Sequence, residues 1–215
     1  MAGLGEQTTP KKTVTPGHPA TGYLVLDLET RESFQAVGGF NPSLLTISVA
    51  GTYDAPTGTE RTLRLEELET LEHLLRGASA IIGYNLIGFD YAVLKSAFAK
   101  ATAGTSAESL DPYTLPTVDL FVHLQRQLGF RPKLDDVAAA TLGRRKSGNG
   151  LEAIRLYEQR NWDALCRYCL DDVRITKDLY EYGLAYGHVK FPDRNGTIRE
   201  IPATWVPVPV QARMF

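Results

Sequence analysis

The sequence predicts one α/β domain whose central sheet contains antiparallel and parallel strands and is flanked by helices. Three runs rich in β-branched or aromatic residues, at 22–28, 43–53 and 60–65, follow one another closely in the chain. Gaps this short favour antiparallel hairpins over crossover connections. Further along, an apolar run at 80–84 precedes a helical pattern at 89–100, as in a βα unit. With 215 residues, 43% of them hydrophobic, the chain has enough apolar material for one such domain with extensions.

The remaining elements follow from apolar spacing and turn signals. Four leucines at helical spacing predict a helix over 66–76, and Gly77 marks its end. Residues 101–114 predict a polar loop, and 117–120 one more short strand. From there the pattern is mostly helical to about Gly183.

The two ends of the chain differ from this central part. Residues 1–20, rich in Thr, Pro, Gly and Lys, predict a flexible N-terminal tail or an inter-domain linker. Residues 186–215 form a C-terminal extension, in which strands at 188–191 and 197–201 flank a turn and predict a β-hairpin. The main domain therefore spans 21–185.

Composition excludes several classes of function. The formal net charge of −2 means that any basic surface for nucleic acid must be local. No apolar stretch is long enough for a signal peptide near the start or for a membrane span later, so we expect a cytoplasmic protein without a membrane partner.

Cys166 and Cys169 have the Cys-x-x-Cys spacing of a redox or zinc motif. No second Cys/His pair lies nearby, and the flanking pattern places both cysteines within a helix. We therefore expect them to be packing residues.

The first strand, GYLVLDLET, ends in two acids. Residues two apart on a strand share a face, so Asp27 and Glu29 project together. Taken alone, the pair is also consistent with an exposed edge residue at 27 and a turn cap at 29.

Two later stretches carry further polar groups at the ends of elements. In GYNLIGFDYAVL, Asn85 follows a buried strand and Asp90 opens the next helix, where a first-turn acid is favoured by the helix dipole alone. In RYCLDDVR, Tyr168 and Asp172 are four residues apart and lie on one face of a helix. Taken alone, this pattern also fits a surface helix with a half-buried tyrosine.

Together the three stretches resemble the motifs of the DEDD superfamily of 3′-to-5′ exonucleases, and in particular the proofreading domain of family B DNA polymerases. The resemblance covers roughly residues 22–183 and implies a ribonuclease H-like fold. The histidine subclass would require histidine at 167, where this chain has Arg167, so the tyrosine subclass fits. The matching positions are Asp27, Glu29, Asn85, Phe89, Asp90, Tyr168 and Asp172.

The resemblance also implies a role for each acid. Enzymes of this kind use two divalent ions, Mg²⁺ or Mn²⁺, about 3.5–4 Å apart, to hydrolyse a phosphodiester. Such hard cations prefer carboxylate oxygens and water. By analogy, Asp27 would bridge both ions, Glu29 and Asp172 would complete the first site, and Asp90 would act through water on the second. Tyr168 would orient the attacking water.

Substrate contacts are expected at three places. Asn85 and Phe89 belong to the second motif. Phe40 and Asn41, in the loop after the first motif, are positioned to contact or stack on the terminal nucleotide, or simply to anchor the loop. The concentrated basic loop, GRRKSGNG, is either a phosphate contact or a solvated connector; its cations are Arg144, Arg145 and Lys146.

These observations predict a metal-dependent 3′-5′ exonuclease acting on single-stranded 3′ ends, with DNA favoured and RNA open. An endonuclease or RNA-processing nuclease would use the same acids. A nucleic-acid-binding domain without activity is the alternative outside enzymes, although all four acids and the tyrosine are present. Three roles stay open for the terminal extensions: docking a partner, extending the substrate channel, or a former link to a helicase or polymerase module.

Overall fold

The computed structural model describes residues 22–145, 150–193 and 195–209. The predicted N-terminal tail, residues 1–20, lies outside the described residues. Strands and helices are numbered here in chain order. The strands are β1 (Tyr23–Thr30), β2 (Ile47–Asp54), β3 (Thr59–Leu63), β4 (Ala80–Gly83), β5 (Pro116–Asp119), β6 (His188–Pro192), β7 (Ile198–Pro202) and β8 (Val208–Pro209). The helices are α1 (Leu68–Gly77), α2 (Asp90–Thr102), α3 (Leu120–Leu128), α4 (Leu134–Leu142), α5 (Gly150–Glu158) and α6 (Trp162–Tyr186).

The main sheet has the strand order β3-β2-β1-β4-β5-β8. The first three strands pair antiparallel, whereas β4 pairs parallel with both β1 and β5, and β8 closes the edge antiparallel to β5. This mixed sheet with flanking helices confirms the predicted ribonuclease H-like fold class. The predicted C-terminal hairpin is also confirmed, as β6 and β7 pair antiparallel in a sheet of their own.

Strand β1 shows how the sequence determines the two faces of the sheet. Tyr23 and Val25 face the side on which α6 and the hairpin pack, whereas Leu24, Leu26 and Leu28 pack with α1 and α2 on the other side. This alternation follows from the two-residue period of a strand. Because the next odd-numbered residues are acids, the apolar surface of the α6 side becomes polar toward the end of β1.

The predicted second strand begins later than the sequence pattern indicates. The pattern predicts a strand over 43–53, but residues 42–44 form a 3₁₀ turn and β2 starts at Ile47. The Asn41 side chain accepts hydrogen bonds from the Ser43 backbone N–H at 3.2 Å and the Ser43 hydroxyl at 2.7 Å. An Asn-Pro pair is a strong turn signal, so local side-chain bonding overrides the β-branched pattern that follows it.

Helix α6 is the longest element and crosses the centre of the sheet, with Cys169 and Val173 against strand β2. Its close approach requires Gly51, which pairs with Asp27 across the β1–β2 ladder. A Cβ atom at position 51 would lie 2.8 Å from the Cys169 Sγ atom and 2.9 Å from a Val173 methyl. The missing side chain therefore sets the distance between α6 and the end of β1 that carries the acids.

The C-terminal extension packs onto the main domain. The Thr141 hydroxyl of α4 bonds both the Lys190 backbone N–H, at 2.9 Å, and its carbonyl, at 3.1 Å, and so ties the hairpin to α4. Trp205 is buried beside Gly183 of α6 and makes an edge contact with the His123 ring at 4.6 Å. The chain continues from Trp205 into β8. None of the described helices has both the length and the apolar character that crossing a bilayer requires.

We predict that Gly51→Ala destabilises the fold by about 1–3 kcal/mol, the usual cost of overpacking a core. Gly77→Ala is the matched control, because a Cβ atom there meets nothing within 4 Å. The free energy of unfolding, measured with denaturant, should fall only in Gly51→Ala. Equal stabilities of the two variants would show that α6 does not depend on this contact.

Candidate active site

Three carboxylates meet where α6 crosses the end of β1. Asp27 and Glu29 come from β1 and Asp172 from α6, and one oxygen of each lies within 4.8 Å of the others. Glu29 is 9% exposed and Asp172 5%, while Asp27 is half-buried. Like charges held this close in a partly dehydrated place repel one another, so the fold must impose the arrangement.

Asp90, the fourth predicted acid, lies next to this group but outside it. It is 3% exposed, and its Oδ1 atom accepts a hydrogen bond from the Leu28 backbone N–H at 3.0 Å. Burial raises the pKa of Asp90 well above its usual range, and repulsion from the Asp27 carboxylate raises it further. Asp90 is therefore fixed against the backbone of β1 and lines the same cleft as the three carboxylates.

The loop between β4 and α2 is held by Asp119. The Asp119 carboxylate accepts hydrogen bonds from the backbone N–H groups of Asn85 at 2.9 Å and Ile87 at 3.0 Å, and it caps α3 through Val122 at 3.3 Å. Burial raises the pKa of Asp119. Asn85 has a left-handed φ of +73°, which asparagine tolerates better than most residues. Asp119 thus fixes the backbone of the turn that precedes Asp90, the first residue of α2.

Cys169 lies beneath the carboxylates. Its Sγ atom is 3.6 Å from the Asp27 carbonyl oxygen and 3.7 Å from the Asp27 carboxylate, so the thiol is a weak donor to that residue. Burial raises the pKa of the thiol well above its usual range, and the charges of Asp27, Glu29 and Asp172 add to the shift. Cys166 and Cys169 are both free, in agreement with the predicted packing role.

Tyr168 lies one turn before Asp172 on α6 and is buried. Its ring packs with Val49, Ala153 and Leu165, between α6, β2 and α5. The hydroxyl oxygen is also buried, and Tyr168 is not among the residues that line the cleft above the carboxylates. Tyr168 and Asp172 thus lie one turn apart on α6, and of the two Asp172 lines the cleft.

The cleft above the carboxylates encloses about 660 Å³. Its floor is acidic, and its walls are formed largely by Phe34, Phe89, Leu151 and Ile154, with Tyr84 and Asn85 at one end. A pocket with apolar walls and a few convergent polar groups is typical of a ligand site. The prediction missed Phe34, Leu151 and Ile154; an aromatic residue close behind the first motif was the only signal for Phe34.

Phe40 continues the apolar wall outward. Its ring is 72% exposed and lies 4.5 Å from the ring of Phe34, which makes an edge contact with Phe89 at 5.9 Å. Three aromatic rings therefore run from the cleft to the surface. Asn41 is engaged in the 3₁₀ turn described above.

The two described cations of the basic loop bind carboxylates of the protein itself. Arg144 pairs with Asp178 of α6 at 2.6 Å, and Arg145 pairs with Asp135 of α4 at 3.2 Å. Neither arginine lines the cleft. Lys146 lies outside the described residues. A phosphate contact by this loop stays a prediction that would require these pairs to open.

The carboxylate cluster has the donor chemistry of a divalent metal site. Its oxygens are the hard ligands that Mg²⁺ and Mn²⁺ prefer, and a bound cation would offset the repulsion among the buried charges. Asp27, Glu29 and Asp172 are close enough to share one ion, and Asp90 is near enough for the Asp27 charge to raise its pKa.

Comparison with known proteins agrees with this fold. A family model described as RNase_H superfamily matches residues 26–183. The chain therefore belongs to the RNase_H superfamily, and its fold and carboxylate cluster define a nuclease-type domain. No curated protein sequence matches the chain.

Among solved structures, the chain is similar to the family B DNA polymerase from the hyperthermophilic archaeon Pyrobaculum calidifontis, with a TM-score of 0.55 and 21% identity. The match covers 76% of this chain and 24% of the polymerase chain, so this protein spans about a quarter of that polymerase. At this identity, the similarity is one of fold.

We predict that Mn²⁺ raises the melting temperature of the protein, because an ion that binds only the folded state stabilises it by about 2.7 kcal/mol at 100 times its Kd. Asp172→Asn should reduce this rise strongly, since it removes one of the three charges. Asp171→Asn, which affects only a surface pair with Arg174, should keep it. Equal rises in both variants, measured by thermal unfolding, would place the metal elsewhere.

Proposed function

We propose that this protein is a metal-dependent 3′-5′ exonuclease that removes nucleotides from single-stranded ends, with DNA favoured over RNA. The observation that carries the proposal is the set of three carboxylates within 4.8 Å at the floor of a cleft with apolar walls. Acidic groups alone would repel a phosphodiester. A carboxylate floor suits such a substrate only if divalent ions lie between the two.

In the proposed mechanism Asp27, Glu29, Asp90 and Asp172 would hold two divalent ions, Mg²⁺ or Mn²⁺. Such ions, when bound, activate water and stabilise the leaving 3′-oxygen. The protein's own contribution is to fix the acids before substrate arrives. Asp90 is held by the Leu28 N–H, and the carboxylate of Asp27 by contact with the Cys169 thiol.

The walls of the cleft suit a terminal nucleotide. The cavity of about 660 Å³ falls within the range of roughly 300–1,000 Å³ common for small ligands. Phe34 and Phe89 offer ring surface to an unstacked base, and Phe40 extends this surface outward. Because every base has a π face, such a wall would accept any sequence. A cavity of this volume suits one unstacked nucleotide at a frayed strand end better than a continuous duplex.

Tyr168 is proposed to orient the attacking water. Its place on α6, one turn before Asp172, supports the role, while its buried hydroxyl means that the group must become accessible from the cleft when substrate binds. A cytoplasmic location is also part of the proposal, as are single-stranded 3′ ends as the physiological substrate.

We predict that a 5′-labelled single strand incubated with the protein and Mg²⁺ or Mn²⁺ gives a descending ladder of products. Chelation with EDTA, or Asp27→Ala, should abolish the ladder because the ions would no longer be held. The assay is denaturing electrophoresis of labelled DNA and RNA. Efficient cutting of a closed single-stranded circle would instead support an endonuclease, and no cutting of any strand would support a binding domain.

We predict that Tyr168→Phe lowers turnover by about 10²–10⁴-fold, the usual contribution of a positioned acid–base or orienting group. The variant keeps the packing of the ring against Val49 and Ala153, so its melting temperature should change little. The Mn²⁺-dependent rise in melting temperature should also persist, because the hydroxyl is not a proposed ligand. Near-normal turnover would show that this tyrosine is a packing residue only.

A further inference from the structure

A second groove adjoins the cleft at Tyr84 and Asn85. It encloses about 450 Å³ and is lined by Tyr84 and Asn85, which also line the cleft, together with Phe121, Arg131, Pro132 and Lys133. Because two residues are shared, the two cavities are neighbours, and the cations of one lie on the far side of Tyr84 and Asn85 from the carboxylates of the other. The sequence motifs include neither Arg131 nor Lys133.

The wall of this groove is well fixed. The Tyr84 hydroxyl donates a hydrogen bond to the Pro132 carbonyl at 2.9 Å, and its ring packs on Phe121 at 5.7 Å. The Arg131 guanidinium lies over the Phe121 ring, 4.5 Å from the ring centroid, and this cation–π contact fixes its position beside the groove. Pro132 is buried, whereas the two cations on either side of it are exposed.

The charges of the groove differ from those of the basic loop. Arg144 and Arg145 are neutralised by Asp178 and Asp135. In the ranges that the structure describes, no carboxylate forms an ion pair with Arg131 or Lys133. In a protein of net charge −2, two exposed cations are a local concentration of positive charge, although the carboxylates of Asp119 and Asp136 also act on Tyr84 at the groove wall.

We propose that this groove binds the phosphate backbone of the single strand behind the nucleotide that occupies the cleft. The inference rests on the proposed exonuclease function and adds the path of the substrate. A strand whose terminal residue enters the cleft must leave it on an open side, and the side at Tyr84 and Asn85 offers positive charge for the next phosphates. The protein should therefore bind strands of several nucleotides more tightly than dinucleotides.

The test is the salt dependence of binding. All proteins carry Asp172→Asn to prevent hydrolysis, and the probe is a fluorescent single-stranded oligothymidylate of eight nucleotides, dT8. In the double variant Arg131→Gln/Lys133→Gln, the slope of log K against log salt should become shallower by about 1.4, at about 0.7 for each lost contact on a single strand. The dinucleotide dT2 is too short to reach the groove. Its Kd for the double variant should therefore differ by less than twofold from its Kd for the parent protein.

The matched control is Arg126→Gln/Lys100→Gln, which removes the same charge from exposed positions outside both cavities. Its slope should equal that of the parent. If loss of the Arg131–Phe121 contact impairs folding, Lys133→Gln alone should reduce the slope by about 0.7. Arg131→Lys/Lys133→Arg, which keeps both charges, should retain the slope.

An unchanged slope in Arg131→Gln/Lys133→Gln, or an equal loss in the control, would overturn the groove as a binding track. That result is separate from failure of the proposed function, which is measured as absence of the product ladder with the unmodified chain. Nucleic acid bound through the groove by a protein that cuts nothing would uphold the groove and overturn the exonuclease.

Discussion

The close packing of α6 against β1 and β2 is the contact on which the rest of the site depends. Gly51 leaves room for Cys169 and Val173 at the point where β2 pairs with Asp27. The same approach places Asp172 beside Asp27 and Glu29. A side chain at 51 would act at once on the stability of the sheet–helix interface and on the spacing of the carboxylates. The apolar core therefore determines where the charges meet.

The buried carboxylates of the site lower the stability of the fold. Buried carboxylates close together repel, and burial raises the pKa of Asp90 and Asp119 because the charged form is poorly solvated. Backbone donors from Leu28, Asn85 and Ile87 compensate part of this cost. A divalent cation would relieve the remaining repulsion among the carboxylates. Relief of this repulsion would contribute to the free energy of metal binding. Function and stability are thus in tension here, as is common at active sites.

Much of this arrangement follows from local sequence. The alternation in β1 predicts that Asp27 and Glu29 share a face, and helical spacing predicts that Tyr168 and Asp172 do. Both the strand order and the meeting of Asp172 with β1 depend on tertiary packing, for which the resemblance to a known family was needed. The second strand was predicted to start at 43 instead of Ile47, because the turn that Asn41 and Pro42 open extends through Leu44.

Other features had no sequence signal. Strand β8 is two residues long and contains a proline, and it pairs with the sheet edge shortly after the buried Trp205. The concentrated charges of Arg144 and Arg145 were easy to see, yet their partners Asp178 and Asp135 lie on other helices. Arg131 and Lys133, by contrast, are inconspicuous in the chain and become notable only through their position next to the cleft. Charge in a sequence shows where cations are, whereas pairing in space shows which of them remain available.

The most direct test of the account is a crystal structure of the protein with Mn²⁺, in which anomalous scattering locates the ions. The account predicts two peaks in the cleft, one in contact with Asp27, Glu29 and Asp172 and the other between Asp27 and Asp90. An empty carboxylate cluster at saturating Mn²⁺, or ions bound only at other places on the protein, would contradict it.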